Sequence, residues 1–240
     1  MALPKINYPT CTIKIPSITT PITFRVFTVV EEKLLILSME SNENADKVKA
    51  VKQVIGNCVV SGELNVDKLA SFELEYIFLQ LRAKSVSDKI NITLKGIEGA
   101  ECQECQKSKK VSIAIEDIKI DITSPNDKIE LTPEIFAKLK YPSADNAMDM
   151  MVYRKTLDKN TLYKIITNCI EFIYDTESQY EIESREELAE WIDKLPTYAI
   201  SKITDFIEHI PNVFYDVNIT CPACKRKETL RLEGLEDFLG

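Results

Sequence analysis

Two Cys-x-x-Cys pairs, Cys102-Gln-Glu-Cys105 and Cys221-Pro-Ala-Cys224, constrain this chain more than any other feature. Each pair can turn two sulfurs toward one ion, and two such turns complete the four-thiolate tetrahedron that Zn2+ takes in structural sites. Both interrupt alternating, strand-like sequence, so together they read as the two knuckles of a zinc ribbon. A compact ribbon separates its knuckles by roughly 15–20 residues, whereas here residues 106–220 intervene. If all four sulfurs share one ion, residues 90–116 and 213–232 must meet in space, and the segment between them is an excursion that leaves and returns. Such a site holds a shape and does no chemistry.

Four thiolates around a divalent cation leave a net negative centre, which nearby cations stabilise. Lys107, Lys109 and Lys110 follow the first pair, and Lys225, Arg226 and Lys227 follow the second. Basic residues on a hairpin tip are also ordinary solvated surface. A redox dithiol is the competing reading, but that motif belongs at a helix N-terminus, where the dipole lowers a thiol pKa, and these pairs follow strands. Disulfides or two separate half-sites are further alternatives. Cys58 and Cys169 fall on apolar helix faces and read as small hydrophobes, and Cys11 is likewise no ligand. His209, the one histidine, stands at a helix C-terminus, where a positive charge is favoured.

The pattern along the chain predicts an α+β fold. Residues 11–27 alternate on both sides of a Pro16 to Pro21 turn and read as a β-hairpin. Thr28 caps a helix with Glu31 and Glu32 in its first turn. A second helix runs from about Asn44 to Val60 and stops at Gly62. A third, from about Asp67 to Ala83, is too apolar for a surface helix and belongs at the centre of an N-terminal core. After Asp88 the period becomes two, giving a hairpin whose tip carries the first cysteine pair. Ile118 to Ile122 extends it or forms another strand, ahead of a turn at Ser124-Pro125-Asn126-Asp127.

From Thr132 to about Ile210 the signals are helical. Thr132-Pro133-Glu134 places a cap before a proline at the first helical position. Further helices are expected at about 145–154, 158–174, 184–194 and 197–209, with Ser184 and Glu187 at capping-box spacing. Alternation then resumes at Val213 and runs through the second pair. The expected organisation is an N-terminal hairpin and helical domain over 1–88, a zinc-ribbon-like β domain made of 89–123 plus 212–240, and a helical insertion over 124–211.

Composition narrows the function. The formal net charge of −8 disfavours broad nucleic-acid binding, which draws most of its affinity from Lys and Arg on phosphates. A zinc-ribbon nucleic-acid regulator therefore stands as the alternative, carried by the basic knuckle tips alone. No run approaches the roughly 20 apolar residues of a membrane span. The first residues show no secretion signal, and seven cysteines fit a reducing compartment. Acid groups such as Glu31-Glu32, Asp145 with Asp149, and Glu186-Glu187 sit in helix first turns or on solvated faces. With no glycine-rich phosphate loop and no nucleophile motif, the reading is not an enzyme.

Three passages resemble the baseplate hub assembly proteins of T4-type contractile-tailed bacteriophages. They are Phe24-Arg-Val-Phe-Thr-Val-Val-Glu-Glu-Lys-Leu-Leu, Leu69-Ala-Ser-Phe-Glu-Leu-Glu-Tyr-Ile-Phe-Leu-Gln-Leu-Arg-Ala-Lys-Ser-Val, and the closing Cys221-Pro-Ala-Cys224 segment that ends Leu235-Glu-Asp-Phe-Leu. The resemblance implies a protein that helps build the central hub of a phage baseplate through contacts with hub proteins. It places the chain in the host cell cytoplasm during assembly, and in the virion baseplate if it is retained. It brings no catalytic residues, and carries metal binding only to Cys102, Cys105, Cys221 and Cys224. Glu75 and Arg82, polar residues in or beside the apolar run of the third helix, are candidate anchors in a partner groove.

Overall fold

The computed structural model describes the chain apart from residues 1–3, 16, 17, 19, 42, 97–99, 122–125, 147, 148, 151, 152, 154, 155 and 240. The N-terminal hairpin pairs β1 (Thr10–Ile13) with β2 (Ile22–Arg25), and β3 (Val59–Ser61) adds a third strand beside β2. Ile13, Ile15, Ile22 and Phe24 are buried from this sheet, as the alternation requires. Between β2 and β3 run α1 (Val29–Glu40) and α2 (Asn44–Cys58). Thr28 closes a capping box with Glu31 at the start of α1. The second helix ends at Cys58, earlier than expected, because Val59–Ser61 are drawn into the sheet; Gly62, at φ +99°, turns the chain after that strand and not after a helix.

The third helix, α3 (Ser71–Ser85), explains its apolar density by being buried on two sides. Leu74, Ile77, Phe78 and Leu81 pack with the N-terminal sheet and α2. Phe72 and Leu79 face a second core built from β4 (Lys89–Leu94), β5 (Lys109–Ala114), β6 (Lys119–Asp121), β11 (Asn212–Thr220) and β12 (Lys227–Glu233). The helix is thus a shared wall and not the centre of one core. The stretch after Ile118 forms a strand of its own, β6, paired antiparallel with β11. The turn expected at Ser124 and Pro125 lies outside the described residues.

The segment expected to be all-helical is mixed. A four-stranded antiparallel sheet, in the order β10-β9-β8-β7, is made of β7 (Lys128–Thr132), β8 (Ile135–Leu139), β9 (Ile170–Tyr174) and β10 (Gln179–Glu181). It packs with α5 (Lys159–Cys169), α6 (Arg185–Ile192) and α7 (Thr197–Glu208). Thr132-Pro133-Glu134 is the turn of the β7–β8 hairpin. Its Thr132 hydroxyl accepts from the Ile135 N–H at 3.2 Å, the same local bond that would cap a helix. The helix expected to run to 174 gives way at Ile170, where Ile-Glu-Phe-Ile-Tyr has strand composition. The helix expected over 145–154 lies partly outside the described residues. Tyr141 ties this segment to α3, stacking on Phe206 at 5.8 Å and meeting Phe72 edge-on at 5.4 Å. Among the described residues no helix is long and apolar enough to cross a membrane.

Candidate metal centre

Two antiparallel hairpins meet tip to tip. In one, Leu94 pairs with Lys109 and the loop beyond them carries Cys102 and Cys105. In the other, Thr220 pairs with Lys227 around Cys221 and Cys224. The two strands of the second hairpin are tied by their side chains: Asp216 and Arg231, directly opposite, form a two-bond ion pair, and Arg231 lies 4.4 Å above the Phe214 ring. The first pair opens α4 (Gln103–Gln106), a single helical turn with the Cys105 N–H donating to the Cys102 carbonyl at 3.0 Å. So the first pair does sit at a helical turn, although the sequence suggests strands on both sides.

The four sulfurs form one cluster. All lie within 4.8 Å of one another, with Cys102 Sγ to Cys221 Sγ at 3.8 Å and Cys105 Sγ to Cys224 Sγ at 3.6 Å. A tetrahedral centre with metal–sulfur bonds of about 2.3 Å requires sulfurs about 3.8 Å apart. The donor set, count and spacing therefore fit a structural zinc ion.

The surroundings favour charge on one of the four sulfurs. Cys221 is drawn down to about 6, chiefly by the backbone N–H of Cys224 and with help from that of Ala223, while hydrogen bonds to Cys221 and Cys224 push Cys105 up to about 12. The second knuckle is closed by the Cys221 N–H donating to Arg226 O at 2.8 Å and the Lys225 N–H to Cys221 O at 3.0 Å. Lys225 takes a left-handed backbone, φ 61°, to make that turn. Lys95, Lys107, Lys109 and Arg226 line an open depression with Cys105 and Cys221, and Lys107 pairs with Glu104.

One residue essential to this arrangement escapes sequence reasoning. A Cβ on Gly96 would stand 1.9 Å from the Gln106 carbonyl oxygen, so only glycine lets the end of β4 lie against the first knuckle. A glycine just after a strand and shortly before a cysteine pair is the available signal.

The remaining candidates have local roles. Cys58 and Cys169 are buried, and burial pushes their thiols up to about 11 and about 12, away from the reactive thiolate. Cys11 is half-buried with its pKa likewise raised by burial. The His209 ring Nδ1 lies 2.7 Å from Asp205 O on its own helix. Glu31 is held by Arg25, Asp145 by Lys52, and Glu186 by Ser184. Glu75 is partly buried with Oε1 toward Gly234, and Arg82 is partly buried, burial lowering its pKa.

A family model described as "T4 bacteriophage base plate protein" matches residues 6–240. The chain belongs to that family. Neither a curated protein nor a solved structure matches it. The match runs through the N-terminal sheet, the mixed segment and both cysteine hairpins, so the whole architecture described above is that of a phage baseplate protein.

Proposed function

We propose that this baseplate protein is a non-catalytic assembly component of the central hub, and that Cys102, Cys105, Cys221 and Cys224 hold one structural zinc ion. The observation that carries the reading is the convergence of four sulfurs, from cysteine pairs separated by residues 106–220, at the spacing a tetrahedral ion demands. The ion supplies a fixed fourfold tie and no reactive position, since four protein thiolates fill the coordination of a closed site. It closes the ends of the 128–208 segment onto α3 and so gives partners a rigid body.

Lys95, Lys109 and Arg226 beside the cluster would balance thiolate charge, and the net charge of −8 weighs against the nucleic-acid alternative. Glu75 and Arg82, both partly buried on α3, are the residues through which a hub protein would be gripped. Native mass spectrometry with metal analysis should find one zinc per chain, and Cys105→Ser or Cys221→Ser should abolish it. A phage carrying either substitution should accumulate incomplete hubs in infected cells. Zinc-free protein of full stability, or normal hubs from the substituted phage, defeats the reading. Normal hubs from a folded Arg82→Ala protein remove the role of that residue.

A further inference from the structure

The hairpin that carries the first cysteine pair is a two-stranded sheet, whereas every other sheet among the described residues has three or four strands. A lone pair of strands is marginal in water until a packed core or a third strand supports it. The β4–β5 ribbon has the core, with Ile90, Ile92, Leu94 and Ile113 buried on one face. It lacks the third strand.

Antiparallel pairing fixes which main-chain groups are left over. The Ile115 N–H donates to Asp88 O at 2.8 Å, in register with the ladder of β4 and β5. Bonded and non-bonded pairs alternate from there, so Ile113, Val111 and Lys109 bond across to β4, and the N–H and C=O groups of Lys110, Ser112 and Ala114 point away from it. Among the described residues nothing bonds to those groups, and Lys110 and Ser112 are exposed. Other long edges are partly closed: the Lys89 N–H of β4 donates to Ser87 Oγ at 3.1 Å, Glu130 O of β7 accepts from Lys202 Nζ at 2.8 Å, and the Glu233 N–H of β12 donates to Asp237 at 2.9 Å. The β5 edge has neither a bulge nor a proline to turn a strand away, since its pairing with β4 keeps one register throughout.

Charge is ordered along this edge. Lys107, Lys109 and Lys110 stand at its start, and Glu116 and Asp117 follow its end. The order is complementary to its own reverse. We infer that β5 pairs antiparallel with β5 of a second copy of this chain, about a two-fold axis at Ser112, so that two ribbons join as one four-stranded sheet. That register sets Ser112 against Ser112 and Lys110 against Ala114 of the copy, and uses every outward group of the strand. It brings Lys110 diagonally beside Glu116, and Lys107 opposite Asp117. An axis at Val111 or Ile113 would leave one of the three outward residues without a partner inside the strand. Any extended segment satisfies the main chain; the order of charges selects the reversed copy, because a parallel copy lays lysines beside lysines. This dimer requires neither the hub role nor the zinc ion proposed above.

Sedimentation velocity and native mass spectrometry of the full chain at micromolar concentration should show a dimer. Ser112→Pro removes only an N–H that points outward, and proline is tolerated on such an edge. This variant should keep its circular dichroism spectrum and dissociate at least about tenfold more readily. Asn91→Pro, directly across the hairpin on β4, should stay dimeric. Ser112→Cys should form a disulfide-linked dimer under mild oxidation, mapped to the introduced thiols, since residues of a hydrogen-bonded antiparallel pair have Cα atoms about 5.5 Å apart, within disulfide reach. Asn91→Cys should not. Lys110→Glu should weaken the dimer about threefold or more, and Glu116→Lys in the same chain should restore it. If Ser112→Pro does not fold, the crosslink and the charge swap decide. A monomeric wild type, a folded Ser112→Pro protein that dimerises as tightly, linkage at Asn91→Cys equal to that at Ser112→Cys, or no rescue by the charge swap overturns the proposal. So does linkage of Ser112→Cys to another protein, and not to the copy, in infected cells.

Discussion

Gly96→Ala is the sharpest test of how the knuckles are held. A Cβ there meets three backbone atoms: Gln106 O at 1.9 Å, Gln106 C at 2.2 Å and Lys107 N at 2.9 Å. No rotamer change relieves such contacts. Reaching even 3.0 Å from the oxygen needs an opening of 1.1 Å, the difference between 3.0 and 1.9 Å. Cys105 directly precedes Gln106, and metal–sulfur distances tolerate only about 0.2 Å, so the displacement reaches the cluster at several times its tolerance. Overpacking of this kind costs about 1–3 kcal/mol. At about 2–4 °C per kcal/mol for a chain of this size, melting should fall by about 2–12 °C. Zinc affinity, measured by competition with a chromophoric chelator, should fall about 10–100-fold, as it does when the supports of a metal ligand are lost. Gly56→Ala is the control: its Cβ meets only Val66 Cγ2, at 3.9 Å, within α2, and it should stabilise the protein by about 0.5–1 kcal/mol. If the Gly96 variant melts within about 1 °C of wild type and holds zinc as tightly, the steric reasoning is wrong.

Other outcomes follow from the same structure. Removing metal with a strong chelator should lower the melting temperature and raise alkylation of Cys102, Cys105, Cys221 and Cys224, leaving buried Cys58 and Cys169 protected; unchanged reactivity refutes the shared site. Lys225→Gly should stabilise by about 1 kcal/mol in thermal melts by relieving a left-handed backbone at φ 61°. Glu31 is held at about 2 instead of the ordinary 4.5, first by the Arg25 hydrogen bond and then by Thr28. A carboxyl lowered in the folded state contributes stability above its unfolded value, and that contribution disappears as pH falls from 4.5 toward 2. The lowering corresponds to about 3 kcal/mol, so Glu31→Gln should flatten this part of the pH profile in urea unfolding. Parallel profiles for variant and wild type would exclude the pair as its source.

Where a feature depends on neighbours in the chain, residue order alone specified it. Thr28 and Ser184 cap helices because the accepted N–H groups lie two or three residues on, at Val30 and Glu187. The hairpins flanking each cysteine pair follow from period-two alternation, as in Ile90, Ile92 and Leu94, all buried. The same locality explains the misreading at Thr132: a hydroxyl bonded to the N–H three residues on serves a helix start and a hairpin turn equally well, and only pairing with β9 selects the turn. Likewise Ile170–Tyr174 becomes a strand because β8 and β10 lie on either side of it.

A Cys-x-x-Cys pair encodes two sulfurs and a turn, with nothing in its own residues to name the other pair. That Cys102 lies 3.8 Å from Cys221 goes with the core in which β4 and β5 pack with β11, β12 and the Phe72 and Leu79 side of α3, residues far apart in the chain. The need for glycine at 96 arises from the close approach of a carbonyl ten residues away. Capping, alternation and ligand type are short-range properties that residue order carries directly. Convergence of distant sulfurs and exposure of a strand edge depend on which surfaces are left after packing, and only the folded chain determines that.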